Sequence, residues 1–365
     1  MVIHFTDMIK IVTLVLFLLL ILFLLVPGKN RRLSQKVFAV FLISQSFRLL
    51  ESFRLSLIPF SSGHWKYLFL LGRTINYLSG PSLYFYARSI TDSGFHFNRR
   101  HGVHLLPMML YFLYMACRFH FHRMTQSGAL TPLESGVLIV IFYSILTAYI
   151  VSALRILRIY YSEIKQYCSS IEKINLNWLR FVLVGVVFVV ILEVLFFFTS
   201  LLGIHLRLLL SLVYAIIFVL VTVGIYRILN QPVLFVQPEK YKHSTLSESD
   251  KKTILNQILV FIQKEKTYLI PTLTLNDLAE TICLPPRAVS QVINEFLGKN
   301  FYDFINAYRI EEAKRLLIDP ASGAKTVLEI LYQVGYNSKS SFNLAFKHHT
   351  GMTPLEFKEK HQKAI

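Results

Sequence analysis

Arg287, Ser290 and Gln291 stand at i, i+3 and i+4, so a helix carries them on one face, with Asn294 one turn further along. Lys339, Ser340, Asn343 and Lys347 repeat that arrangement nearer the C-terminus. The chemistry open to these sets is hydrogen bonding rather than catalysis. A guanidinium or a carboxamide can grip the edge of a purine bidentately, whereas a lysine pairs with phosphate and positions without specifying. A different set, Arg48, Glu51, Arg73 and Glu193, falls inside long apolar runs. Ionisable groups there need a partner or water. Arg48 and Glu51 share a helix face at i, i+3, and Glu193 has no cation near it in sequence, so Arg48 or Arg73 is its expected partner. That cluster reads either as a polar sensor pocket or as interhelical ion pairs.

Other chemistry is poorly supplied. Cys117, Cys168 and Cys283 are far apart with no CxxC, so neither a disulfide framework nor a zinc site is implied. His120 and His122 are too few to make a metal site. No nucleophile–base constellation stands out, so no catalytic residue, metal or cofactor is expected and the chain is not expected to be an enzyme.

The elements that must position the first two sets follow from apolar spacing and capping. Ser247 can cap a helix whose stripe is Ile254, Leu255, Ile258, Phe261 and Ile262. Thr274 with Asp277 forms a capping box for a short helix holding Leu275, Leu278 and Ala279. Cys283-Leu284-Pro285 is a turn, and Pro286 opens a helix that buries Val289, Val292 and Ile293. Arg287, Ser290 and Gln291 then face outward. A long amphipathic helix over 300–317 leads to a second short helix at 326–333. The turn Val334-Gly335-Tyr336 follows, then a helix over 338–348 that buries Phe342, Ala345 and Phe346. The pattern predicts helix-turn-helix units at about 274–297 and 326–348, inside a soluble domain at 253–361.

The remainder is too apolar for a soluble protein. Hydrophobic residues make up 54% of the 365, and mean hydropathy is +0.51. Residues 239–365 hold 17 of the 38 basic and 14 of the 21 acidic residues, so most of the +17 charge belongs to the apolar half and says little about nucleic acid. A span needs about 20 apolar residues. Seven are expected, at about 8–26, 37–57, 67–90, 103–119, 136–156, 179–202 and 206–229, making 1–230 a transmembrane domain and 231–252 a connector. Pro27-Gly28-Lys29-Asn30-Arg31-Arg32 reads as stop-transfer rather than as a signal-peptide cleavage site. Lys29, Arg31, Arg32, Lys36, Arg99, Arg100, Lys165 and Lys173 crowd the loops after the first, third and fifth spans. Positive-inside then places the N-terminus outside and the C-terminal tail in the cytoplasm.

The C-terminal half resembles the AraC/XylS-type DNA-binding domain. The matching residues are 308–317, then Val334-Gly335-Tyr336-Asn337-Ser338-Lys339-Ser340-Ser341-Phe342, Ala345-Phe346-Lys347, and Thr350-Gly351-Met352-Thr353-Pro354-Leu355-Glu356-Phe357. The apolar half looks like that of membrane-bound bacterial regulators of this type, on 170–176 and Gln231-Pro232. The resemblance implies an all-α protein: a seven-helix transmembrane bundle carrying two helix-turn-helix units joined by a long helix. It implies double-stranded promoter DNA as partner, with Arg287, Ser290, Gln291, Lys339, Ser340 and Asn343 as base readers and Lys347 and Lys314 on phosphates. It also implies a multi-pass protein of the bacterial inner membrane that acts as a one-component sensor of an unidentified signal, with homodimerisation through the bundle as the simplest output. The alternative is a transporter or channel with a regulatory tail. That reading needs a broken helix at mid-membrane, and Gly80-Pro81 is the candidate break. Three residues depart from the family pattern: Cys283 where glycine is usual, Leu331 where alanine is usual, and Leu344 where arginine is common. The first unit is therefore expected to do most of the sequence reading.

Overall fold

Runs that are apolar on every side can satisfy their backbone only internally, and here they form helices. The computed structural model describes residues 5–26, 33–53, 63–92, 94–122, 131–172, 174–204, 207–230, 247–319 and 325–362. Among them the regular structure is helical, apart from an isolated bridge between Cys168 and Thr274. The chain divides into two compact units: 1–158 with 176–231, and 159–175 with 232–365.

In the first unit the helices are α1 (Phe5–Leu25), α2 (Leu33–Phe53), α3 (Gly63–Asn76), α4 (Ser79–Thr91), α5 (Leu106–His122), α6 (Pro132–Tyr167), α7 (Asn177–Leu201) and α8 (Arg207–Asn230). The last turns of α6 belong to the second unit. α2 packs against α1, α3 and α4, and α7 pairs with α8. On α7, Val189 and Val190 are buried while Phe181, Val184, Phe188, Ile191 and Leu195 remain exposed, as expected of a helix apolar all round.

Over its described residues every expected span is helical, but only part of the seven-span expectation meets the physical requirement. Among the described residues, Asp7–Leu25, Leu133–Tyr167 and Asn177–Leu201 are long and apolar enough to cross a membrane, and the apolar stretch of α8, Leu209–Gly224, is shorter. α2 carries Lys36, Arg48 and Glu51, and α5 has 17 residues. The expected third span is two helices of 14 and 13 residues. The break falls at Tyr77-Leu78, just before Gly80-Pro81. Pro81 has no N–H and would clash with the Tyr77 carbonyl in a continuous helix, and restarting at Ser79 places it in a first turn, where it is tolerated.

In the second unit the helices are α9 (Glu248–Glu265), α10 (Leu275–Thr281), α11 (Pro286–Leu297), α12 (Phe301–Ile318), α13 (Val327–Gln333), α14 (Lys339–Thr350) and α15 (Pro354–Gln362), with a 3-10 turn at Thr267–Leu269. α9 begins at Glu248, where the expected cap Ser247 accepts from Asp250 N, so the helix starts ahead of the domain boundary expected at 253. Most of the expected connector, 231–246, lies outside the described residues. Residues 159–175, expected with the membrane half, group instead with this unit.

Two apolar cores share α12. Phe301, Phe304 and Ile305 join Ile258, Leu278, Val289 and Ile293 in the first core. Ile310, Ala313 and Leu317 join Ile330, Leu331, Phe342 and Phe346 in the second, and Leu269 packs against both. Phe342 and Phe346 are fully buried, so truncating either to Ala costs about 3–5 kcal/mol.

Candidate nucleic-acid interface

Both short helices start from the same local device. The Thr274 side chain accepts from Asp277 N while the Asp277 carboxylate accepts from Thr274 N; Thr326 and Glu329 do the same for α13. The backbone hydrogen bond from Thr326 holds the Glu329 carboxyl below its ordinary value.

The turns that follow are also alike. Cys283 N donates to Glu280 O (3.1 Å) and Leu284 N to Ala279 O (2.9 Å); Gly335 N donates to Tyr332 O (3.1 Å) and Tyr336 N to Leu331 O (2.9 Å). Each turn needs one left-handed residue, Cys283 at φ 55° and Gly335 at φ 86°. A Cβ at Gly335 would lie 2.7 Å from Leu269 O, so close approach as well as φ demands glycine there. Cys283 has no such relief and holds a conformation that side chains disfavour.

These turns set α11 and α14 with one buried and one outward face. On α11, Ala288, Val289, Val292 and Ile293 are buried. Arg287, Ser290 and Gln291 are half-buried, Asn294 is exposed, and Gln291 Nε2 donates to Glu295 Oε1 at 2.8 Å. On α14, Phe342 and Phe346 are buried, Lys339, Ser340 and Lys347 are exposed and Asn343 is half-buried. Ser338 caps this helix through Ser341 N. Each expected set therefore lies on the outward side of its helix. Lys314 is held by Glu311 through both carboxylate oxygens at 2.9 Å, so a phosphate would have to compete with that pair.

Leu344, singled out in sequence as a departure from the family pattern, is 75% exposed among the outward residues of α14. Two further residues of this unit, His349 and Arg309, were not singled out by sequence reasoning. His349, in the last turn of α14, is held below its ordinary pKa by burial, then by His348 and Lys299. Arg309 is 1% exposed on α12. It stood only as one letter of a motif, and a buried cation on an otherwise amphipathic helix was the available signal.

Residues 278–360 match the protein-family model described as a helix-turn-helix domain. The C-terminal unit carries an AraC-type helix-turn-helix domain. Its relatives are transcription regulators. The chain is 28% identical over 134 residues to an uncharacterized HTH-type transcriptional regulator of Staphylococcus aureus (strain COL), covering 37% of this chain and 17% of that protein. It is 32% identical over 113 residues to the uncharacterized HTH-type transcriptional regulator YdeC of Bacillus subtilis, covering 31% of this chain and 37% of the other. The chain thus spans well under half the length of these relatives. The C-terminal domain of AraT, a response regulator from Geobacillus stearothermophilus, is 30% identical over 32% of this chain and 88% of that domain, with a TM-score of 0.27.

The four ionisable residues that sequence singled out in the apolar runs are paired. Arg48 Nη2 lies 3.2 Å from Glu193 Oε1, and Tyr143 donates to Glu193 Oε2 at 2.6 Å. Arg73 pairs with Glu51. Arg48, Glu51, Arg73 and Tyr143 line one cavity of about 340 Å3 with Asn76 and Tyr111. Sequence left Glu193 with two possible partners, and the structure gives it Arg48. The side chains of His120 and His122, and Arg54, lie outside the described residues.

Proposed function

We propose that this chain is a membrane-anchored, sequence-specific transcription regulator of the bacterial inner membrane. In this reading α11 and α14 enter successive stretches of major groove. Arg287, Ser290 and Gln291 read base edges from the first helix, Lys339, Ser340 and Asn343 from the second, and Lys347 binds phosphate. The observation that carries it is the pair of outward-faced helices, each behind a short helix with its own capping box, packed on one spine, α12. Long apolar helices in the same chain support the bilayer as second partner. Seven spans would leave the N-terminus outside and the reader in the cytoplasm.

The cavity around Arg48, Glu51, Arg73 and Tyr143 is the proposed seat of the signal, with Glu193 bonded to Arg48 and Tyr143. A signal that binds there changes DNA binding only if it prefers one of two states of the helices, and homodimerisation would give that preference an output.

Two measurements test the reading. Arg287→Ala should weaken binding to a duplex selected by the full chain by about tenfold or more, while random DNA changes by less than about twofold. Equal loss on both makes Arg287 a phosphate contact. A cytoplasm-active reporter fused after Lys240 should be on, and activity only from a periplasm-active reporter overturns the topology.

A further inference from the structure

Arg309 is an ionised group with no carboxylate partner among the described residues, and burial pulls its pKa down. What holds its charge is a ring of oxygens. Nε donates to Tyr268 O at 2.6 Å and Nη2 to Ile270 O at 2.8 Å, both in the segment that leads into the first helix-turn-helix. The remaining bonds go to Ser169: Nη1 to its carbonyl at 3.0 Å and Nη2 to its hydroxyl at 3.0 Å. On the other side the guanidinium lies 5.6 Å from the ring centre of Tyr336, in the turn of the second helix-turn-helix. Arg309 thus stands at the seam between the two readers, and Ser169, two residues past the end of α6, completes its coordination.

The segment 165–170 is seated along the first helix-turn-helix and the start of α12. Ser169 N and Oγ both donate to Leu273 O, at 3.1 and 2.6 Å, and Cys168 bridges to the N-cap Thr274. Tyr167 packs against the first core. Lys165 Nζ lies 5.0 Å from the ring centre of Tyr302. Gln166 Oε1 accepts from Asn294 Nδ2 at 3.0 Å, on the outward side of the recognition helix itself. Ser169, just past the last helical turn, is held as a bound peptide is: backbone donor and acceptor both used, a hydroxyl bonded twice, a flanking apolar anchor at Tyr167. The seat is also incomplete. Asn306 Oδ1 and Tyr336 Oη are buried beside it without a hydrogen-bond partner among the described residues, which disfavours the seated arrangement and keeps its release within reach.

We propose that 165–170 is a tethered peptide ligand of the DNA-binding unit, whose seating at Arg309 holds the two readers in fixed register so that both can engage one duplex. The segment continues α6, a helix whose earlier turns belong to the apolar unit, so a change along α6 is transmitted to the seam by seating or unseating Ser169. This proposal rests on the DNA-binding reading above.

The test uses the full chain in detergent micelles and a duplex it has selected from a random library, alongside that duplex with its second recognition segment scrambled. Ser169→Pro removes the N–H and the hydroxyl. Ser169→Gly removes only the hydroxyl, and Ser169→Thr keeps both. Seating predicts that Ser169→Pro, which loses the hydroxyl bond to Arg309 and both bonds to Leu273 O, weakens the intact duplex by about tenfold or more. The scrambled duplex should lose less than about twofold, Ser169→Gly should fall between, and Ser169→Thr should match the parent chain. Amide exchange at 268–273 and 334–336 should quicken in the same order. Equal loss on both duplexes, or no loss on either, overturns the proposal while leaving DNA binding intact. A parent chain that selects no duplex overturns the DNA-binding reading and this proposal with it.

Discussion

The two helix-turn-helix units are built on one plan and finished differently. Thr274 corresponds to Thr326, Asp277 to Glu329, Cys283 to Gly335 and Leu284 to Tyr336, with matching capping boxes and matching turn hydrogen bonds. The second turn then carries one more residue before its helix starts, so Pro286 corresponds to Lys339 and the helices end alike at Gly298 and Gly351. Placed this way, Arg287 meets Ser340, Ser290 meets Asn343, Gln291 meets Leu344 and Asn294 meets Lys347. The first helix offers groups that bind base edges bidentately. The second offers short polar groups, one apolar group and a cation at the far end. Local backbone chemistry is therefore common to the units, and reading chemistry is not. On the proposed reading, the first helix then does most of the specifying.

The turns offer the strongest way to break the likeness. Gly335→Ala places a Cβ 2.7 Å from Leu269 O at a positive φ and should destabilise the C-terminal unit by about 2–4 kcal/mol, read as a lower denaturation midpoint. Cys283→Gly should do the opposite at the equivalent position, stabilising by about 1 kcal/mol as left-handed strain is relieved. If both substitutions destabilise, the turns are not equivalent.

The recognition faces can be sharpened by Leu344→Arg. That substitution adds a cation to the exposed side of α14. It should tighten binding to all duplexes and steepen the dependence of log K on log salt by about 0.9. A gain confined to one sequence would show the second helix already specifying bases.

The smallest effect lies in acid. The Glu329 carboxyl is held below its ordinary 4.5 by the backbone N–H of Thr326. A depressed carboxylate contributes stability that is present above the unfolded value and is lost as pH falls from about 4.5 through the folded value. Amide exchange over 330–333 should therefore quicken across that acid range, and Glu329→Gln should flatten the response. An unchanged acid response in Glu329→Gln would assign the effect to other carboxylates such as Glu312, whose pKa its bond to Arg315 lowers.

The second unit was legible in sequence because its determinants are local. Thr274 with Asp277, Thr326 with Glu329, and the apolar spacing around Val289 and Phe342 each lie within a turn or two of what they control. The expected reader residues accordingly fall on outward faces. The apolar unit was less legible. Sequence marked each run as helical and Gly80-Pro81 as the candidate break, and the third run does divide just before it, at Tyr77-Leu78; it could not show that Glu193 would take Arg48 while Glu51 took Arg73. Two arginines in equivalent apolar surroundings look alike until packing chooses between them.

Sequence by itself determined the helices, their caps, the doubled helix-turn-helix and the polar faces of α11 and α14, because hydrogen bonds and apolar periods within a few residues settle those. Only the tertiary structure decided that residues 159–175 belong with the C-terminal unit and that Ser169 coordinates Arg309 across 140 positions of chain. The physical reason is the buried charge. Arg309 must find oxygens wherever the fold brings them, and no local pattern records that half of its bonds come from a residue just past the end of a distant helix.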